Sequence, residues 1–112
     1  MEKKVMINIL GMDCSSEAEE EFNEWYNTKH VPDVLKCNAI KKATRYKLKT
    51  TESEAPDYPK FLAVYEFENE EKLNEFSNSP ELAAAREDTA KMFQKTGAKL
   101  VWRVQYEVIK EW

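Results

Sequence analysis

His30 is the only histidine in the sequence. Its ordinary pKa, about 6.5, suits proton transfer near neutrality. Trp25 and Tyr26 come about one helical turn before it, Pro32 follows it, and Tyr46 stands on the next predicted strand. An imidazole beside aromatic walls can serve as a general acid or base. The same ring could instead cap a helix C-terminus or hydrogen-bond the turn that Pro32 imposes.

Other polar groups stand where strand patterning buries residues. Asn8, Arg103 and Gln105 interrupt otherwise apolar strands, and a buried polar group needs partners. Those partners are either water and ligand or a network at a subunit interface. Strand parity could aim Tyr46 and Tyr65 into a cavity between two sheets. Trp25 and Tyr26 fit the buried stripe of a helix better than the wall of a ligand site. No metal site is expected, because one histidine and two distant cysteines have no structural-zinc spacing. Two glycines supply no phosphate-cradling loop, and one histidine defines no nucleophilic triad without coordinates.

Stepping from these residues to the chain, 112 residues set the expectation of one domain over 1–112. With 42% hydrophobic and 34% charged residues, the composition is that of a globular chain. The net charge of −4 argues against nucleic acid, which needs a concentrated basic surface. The basic strip Lys41, Lys42, Arg45, Lys47 and Lys49 reads as a solvated strand edge. No apolar run approaches the ~20 residues of a membrane span. The N-terminal stretch lacks the long apolar region of a secretory signal. Cys14 and Cys37 therefore read as reduced thiols of a cytoplasmic protein.

The elements that must position His30 follow from periodicity. Lys4–Met12 predicts a strand, with Val5, Ile7 and Ile9 on one face and Met6, Asn8 and Leu10 on the other. Ala18, Phe22, Trp25 and Tyr26 predict a helix that ends near His30. Ala39–Lys49 and Lys60–Glu68 predict two strands around a polar loop, Thr50–Pro59. Asn69 opens a helical region, which Asn78–Pro80 interrupts and Gly97 ends. Ala98–Lys110 predicts the last strand. The order β-α-β-β-α-β is that of a ferredoxin-like α+β fold, with four antiparallel strands and two helices on one face. The second sheet face is also apolar and needs a cover. A second copy of the chain, giving a homodimer, is the simplest one.

The segment WYNTKHVPDVLKCNAIKKATRYKL resembles the dimeric α+β barrel proteins, in particular those similar to the ethyl tert-butyl ether degradation (EthD-like) proteins and the stress-responsive barrels. The shared features are Trp25 near a helix end, the His-x-Pro turn at His30 and Pro32, and the Arg45-Tyr46 pair. The resemblance implies a cofactor-free protein acting on a small organic molecule, aromatic or polyketide-like, by cyclisation, isomerisation or oxidation. In the combined reading His30 would move a proton and Tyr46 would orient or polarise an oxygen, with Trp25 of the motif and Asn8, Tyr65 and Arg103, nominated by their strand positions, as substrate-binding residues. The superfamily also implies an alternative, a non-catalytic ligand-binding or stress-response dimer.

Overall fold

A computed structural model describes residues 4–51 and 58–112. Most of the predicted Thr50–Pro59 loop lies outside the described residues. The chain runs β1 (Met6–Asp13), α1 (Glu19–Trp25), a π-helical turn (Tyr26–His30), α2 (Val31–Val34), β2 (Ile40–Lys47), β3 (Phe61–Phe67), α3 (Glu70–Ser77), α4 (Pro80–Thr96) and β4 (Lys99–Glu107). The strands form one antiparallel sheet in the order β2-β3-β1-β4, which is the ferredoxin-like arrangement.

Period-two alternation decides which residues meet the helices. On β3, Phe61, Ala63, Tyr65 and Phe67 are buried, and the residues between them are half-buried. Phe61 packs on Phe22 of α1, while Tyr65 and Phe67 pack on Phe76 of α3. The cross-strand register carries this row into β1 as Met6, Asn8, Leu10 and Met12. It continues into β4 through Arg103 and Gln105. The opposite face carries Ile7, Ile9, Leu62, Val64, Trp102, Val104 and Tyr106, so both faces are apolar, as the patterning predicts.

Two register breaks shift residues from the faces that simple alternation gives them. The β2–β3 register shifts between Ile40 and Lys42. Lys41 is the extra residue, and Ile40 moves to the helix side, where it is buried. The second break makes Gly11 face Trp102 while Met12 faces Leu100. Val101 is therefore the extra residue on β4.

The helix ends follow local chemistry. The Asn69 side chain caps α3 by accepting the Lys72 N–H at 3.0 Å. Ser79 caps α4 by accepting from Leu82 at 3.2 Å, and Pro80 occupies the first turn, where no N–H is needed. Gly97 closes α4 at φ 73°, a left-handed position that favours glycine. The helix boundary expected near His30 is not observed. His30 and Val31 both keep right-handed helical angles, and the chain passes through Pro32 into α2. Burial of Trp25, Tyr26 and Val34 on one side of this segment outweighs the local preference of the residue before proline. Both cysteines are free thiols.

Gly11 lies where the chain crowds itself. A Cβ placed there would stand 2.5 Å from Pro59 Cγ and 3.3 Å from Trp102 Cδ2. The proline ring cannot swing away as a flexible side chain would. Gly11→Ala is expected to destabilise the fold by about 1–3 kcal/mol, the usual scale of overpacking. Urea unfolding of the two proteins checks this, and an unchanged midpoint would contradict the crowding.

Candidate active site

The π-turn places the imidazole. The Val31 N–H donates to the Tyr26 carbonyl, five residues back rather than four. A turn widened by one residue brings both i+4 and i+5 neighbours onto one side. His30 thus meets Tyr26 with ring centroids 4.7 Å apart and Trp25 at 5.0 Å. The Trp25 indole N–H donates to Asp88 Oδ2 on α4 at 2.8 Å, so the aromatic wall is braced from a second helix.

Thr89, one residue beyond Asp88, determines the imidazole tautomer. Its Oγ1 lies 2.7 Å from the Ala85 carbonyl and 3.3 Å from His30 Nδ1. A hydroxyl has one proton to donate, and the carbonyl can only accept. The proton goes to Ala85, so Thr89 accepts from His30 Nδ1–H. The neutral ring then keeps its lone pair on Nε2, the atom a general base uses. Burial depresses the His30 pKa from 6.5 to about 4; nearby Asp88 and Asp33 oppose that shift, and Arg45 and Lys29 reinforce it. The imidazole is therefore unprotonated at neutral pH.

His30 lines a cavity of about 60 Å³ between the sheet and the helices. Asn8, Leu10, Tyr65, Arg103 and Gln105 come from the sheet; Val34, Phe76, Ser77, Leu82 and Arg86 come from the helical layer. Asn8 Oδ1, buried at this cavity, has no hydrogen-bond partner among the described residues; the buried Tyr65 hydroxyl, with the Tyr26 phenol beside it, has no well-formed hydrogen bond either. Burial pushes the Tyr65 phenol far above its ordinary range; the neighbouring Tyr26 phenol adds to the rise and Arg45 opposes it. Tyr65 consequently remains an O–H donor. The cavity combines a lone-pair base, a buried phenol O–H, an unpaired amide oxygen and two guanidinium groups.

Several sequence expectations meet here, and others do not. His30, Asn8, Tyr65 and Arg103 share one cavity, together with Gln105. Tyr46 is not brought to them. It pairs with Leu62 on the face away from the helices and is 52% exposed. Tyr65 takes the place beside His30 that the sequence reading assigned to Tyr46. This cavity lies within one chain, between sheet and helices. Trp25 is not a cavity wall; its indole is buried and spent on Asp88 and on stacking with His30. Arg86, Thr89 and Asp88 were missed. Arg86 stands four residues after Leu82, so helical spacing places both on one side of α4. That spacing was the available signal.

Arg45 occupies a neighbouring position. Its Cζ lies 4.3 Å from the Tyr26 ring centroid, and Nη1 donates to Asn27 Oδ1 at 2.9 Å. Its Nε and Nη2 have no partner among the described residues. Among the described residues, no group of three or more His, Cys, Asp or Glu is placed to hold a metal ion, and no helix is long and apolar enough to cross a membrane.

Comparison with known proteins agrees with this architecture. The family model described as "Domain of unknown function (DUF4286)" matches residues 5–111. No curated protein matches the sequence. Among solved structures, an ethyl tert-butyl ether degradation (EthD) family protein from Bacillus halodurans is similar over 95% of this chain and 99% of its own, with TM-score 0.68 and 18% identity. A dabb family protein with a ferredoxin-like fold from Mesorhizobium loti gives TM-score 0.64 at 9% identity, over 98% and 99% of the two chains. HapK from Hahella chejuensis gives TM-score 0.67 at 9% identity, over 95% and 94%. At these identities the likeness establishes the fold.

The depressed His30 pKa has a direct consequence for stability. The unfolded state takes up a proton near pH 6.5, whereas the folded state does so only near 4. Stability from this group is complete above pH 6.5 and is lost as pH falls toward 4, by at most about 3 kcal/mol. Following the His30 ring protons by NMR should give a midpoint well below 6.5. In His30→Gln, the part of the acid-side stability loss between pH 6.5 and 4 that comes from His30 should disappear. A midpoint at 6.5 would mean that the ring is solvated.

Proposed function

Because this chain belongs to the DUF4286 family over residues 5–111, a domain of unknown function, we propose a role read from its own residues: a small-molecule-binding barrel protein in which His30 moves a proton. The observation that supports this reading is the unpartnered Asn8 Oδ1, together with a buried Tyr65 hydroxyl that has the Tyr26 phenol beside it but no well-formed hydrogen bond, in the cavity that His30 lines. Each unmade buried hydrogen bond costs roughly 1–3 kcal/mol, and a bound molecule with its own donor and acceptor would remove that cost. His30 Nε2 would take a proton from a carbon next to a carbonyl. The C–H electron pair would form a C=C bond while the C=O π pair moves onto the oxygen, where the Tyr65 O–H would stabilise the developing charge. Cyclisation, isomerisation and cofactor-free oxidation can all begin with this step, which needs no metal or cofactor.

The reading includes a homodimer in the cytoplasm. Ile7, Ile9, Leu62, Val64, Trp102 and Val104 make an apolar sheet face opposite the helices. A second copy laid on that face would bury it, at the >~2,000 Å² scale of obligate dimers. Sedimentation equilibrium should then give twice the 13.2 kDa chain mass, and a stable monomer would remove the dimer from this reading.

The proton-transfer step is tested by deuterium exchange. Pyruvate, acetoacetate and their methyl esters are incubated with the protein in D₂O, and loss of the α-carbon protons is followed by NMR. His30→Ala should slow protein-dependent exchange by about 10²-fold to 10⁴-fold, the scale of acid–base catalysis. Because the ring packs on Trp25 and Tyr26, its removal should also cost the fold about 1–3 kcal/mol, so exchange is compared per folded molecule. Exchange that persists unchanged in the variant excludes His30 as the base. Probe binding without exchange would favour the non-catalytic ligand-binding alternative.

A further inference from the structure

Building on that reading of the cavity, we propose that its ligand is a small organic carboxylate, gripped by Arg86 and Arg103. The charge of the lining carries the argument. Among the described residues, Arg86 of α4 and Arg103 of β4 are, apart from His30, its only titratable side chains that can carry charge near neutrality, and no Asp or Glu lines it with them. Some lysines are neutralised: Lys29 pairs with Asp33, Lys47 and Lys60 pair with Glu19, and Lys95 pairs with Glu21. Others, such as Lys41, Lys42 and Lys91, are exposed and make no ion pair among the described residues, so it is the placing of two arginines at one cavity, not their lack of a carboxylate alone, that carries weight. Neither arginine makes an ion pair among the described residues. Two uncommitted guanidinium groups therefore border the cavity in a protein of net charge −4.

Arginine suits this role because its planar fork matches a carboxylate with two parallel N–H donors. The remaining lining divides the ligand into parts. Leu10, Val34, Phe76 and Leu82 offer apolar contact to a short carbon skeleton. Tyr65 O–H supplies a donor to a second oxygen, and Asn8 Oδ1 supplies an acceptor. A cavity of about 60 Å³ admits a few non-hydrogen atoms, so the enclosed part is the size of a short keto acid or of the acid end of a longer molecule. The positive field also favours the anion that proton abstraction by His30 would create.

The test pairs each acid with its neutral ester. Binding of pyruvate, acetoacetate and benzoate, and of their methyl esters, is measured by NMR shifts of the arginine Nε–H and His30 ring protons. Each acid should bind at least ~10-fold more tightly than its ester, and added salt should narrow the difference. Arg86→Gln and Arg103→Gln should each weaken acid binding by about 10-fold, and the double variant should lose the preference for acids. Both side chains are exposed, so the thermal midpoints should stay unchanged, separating lost recognition from lost folding. Esters that bind as well as acids would overturn the proposal. So would a double variant that keeps the preference, inorganic phosphate binding as tightly as the acids, or no acid binding up to about 10 mM. Acid binding without deuterium exchange sinks the proton-transfer reading and leaves this one standing. Exchange as fast on esters as on acids does the reverse.

Discussion

One extra residue in a helical turn sets the rest of the site. Proline in a regular helix collides with the carbonyl four residues back and removes a hydrogen bond. Here the chain reaches Pro32 through a turn closed five residues back, from Val31 to Tyr26, and stays helical into α2. The widening rotates His30 against Trp25 and Tyr26 and under the Thr89 hydroxyl of α4. Its burial, its tautomer and its neutrality all follow from that rotation. A regular α-helical turn would not bring both the i+4 and i+5 aromatic rings against it.

The aromatic layer gives the site rigidity. Phe22 sits among Trp25, Tyr26, Phe61 and Phe93 with centroids 5.6–6.2 Å apart. Such pairs add roughly 0.5–1.5 kcal/mol each beyond their buried area. This packing offsets the polar atoms left unsatisfied at Asn8, Tyr65 and Arg45. The core tolerates those atoms because the aromatic contacts around them are dense, and the polar atoms give an otherwise apolar layer its chemical character.

Much of this was legible in the sequence, and the failures have definite physical causes. Asn8 stood out as a polar residue on an apolar row, and that row faces the helices. Arg103 and Gln105 stood out in the same way and share its cavity. Element order followed from periodicity, and the limits of α3 and α4 from Asn69, the Asn78–Pro80 break and Gly97. Tyr46 was misplaced because parity says which residues share a face but not which face meets the helices. Ile40 changed sides because a bulge inserts one residue, which period-two reasoning cannot see. The Thr89–His30 contact joins residues 59 positions apart, beyond any local pattern.

The two register breaks have a bearing on how the sheet meets its surroundings. Both involve the outermost strands, at Lys41 of β2 and Val101 of β4. An outer strand offers unpaired backbone groups along which another chain could zip up, and a bulge bends and twists that ladder out of register. On β2 the bulge falls within the lysine pair Lys41–Lys42, both exposed, adding charge to the distortion. Open-ended growth of the sheet from either rim is disfavoured. The apolar area of the sheet lies on its broad face, not along either rim.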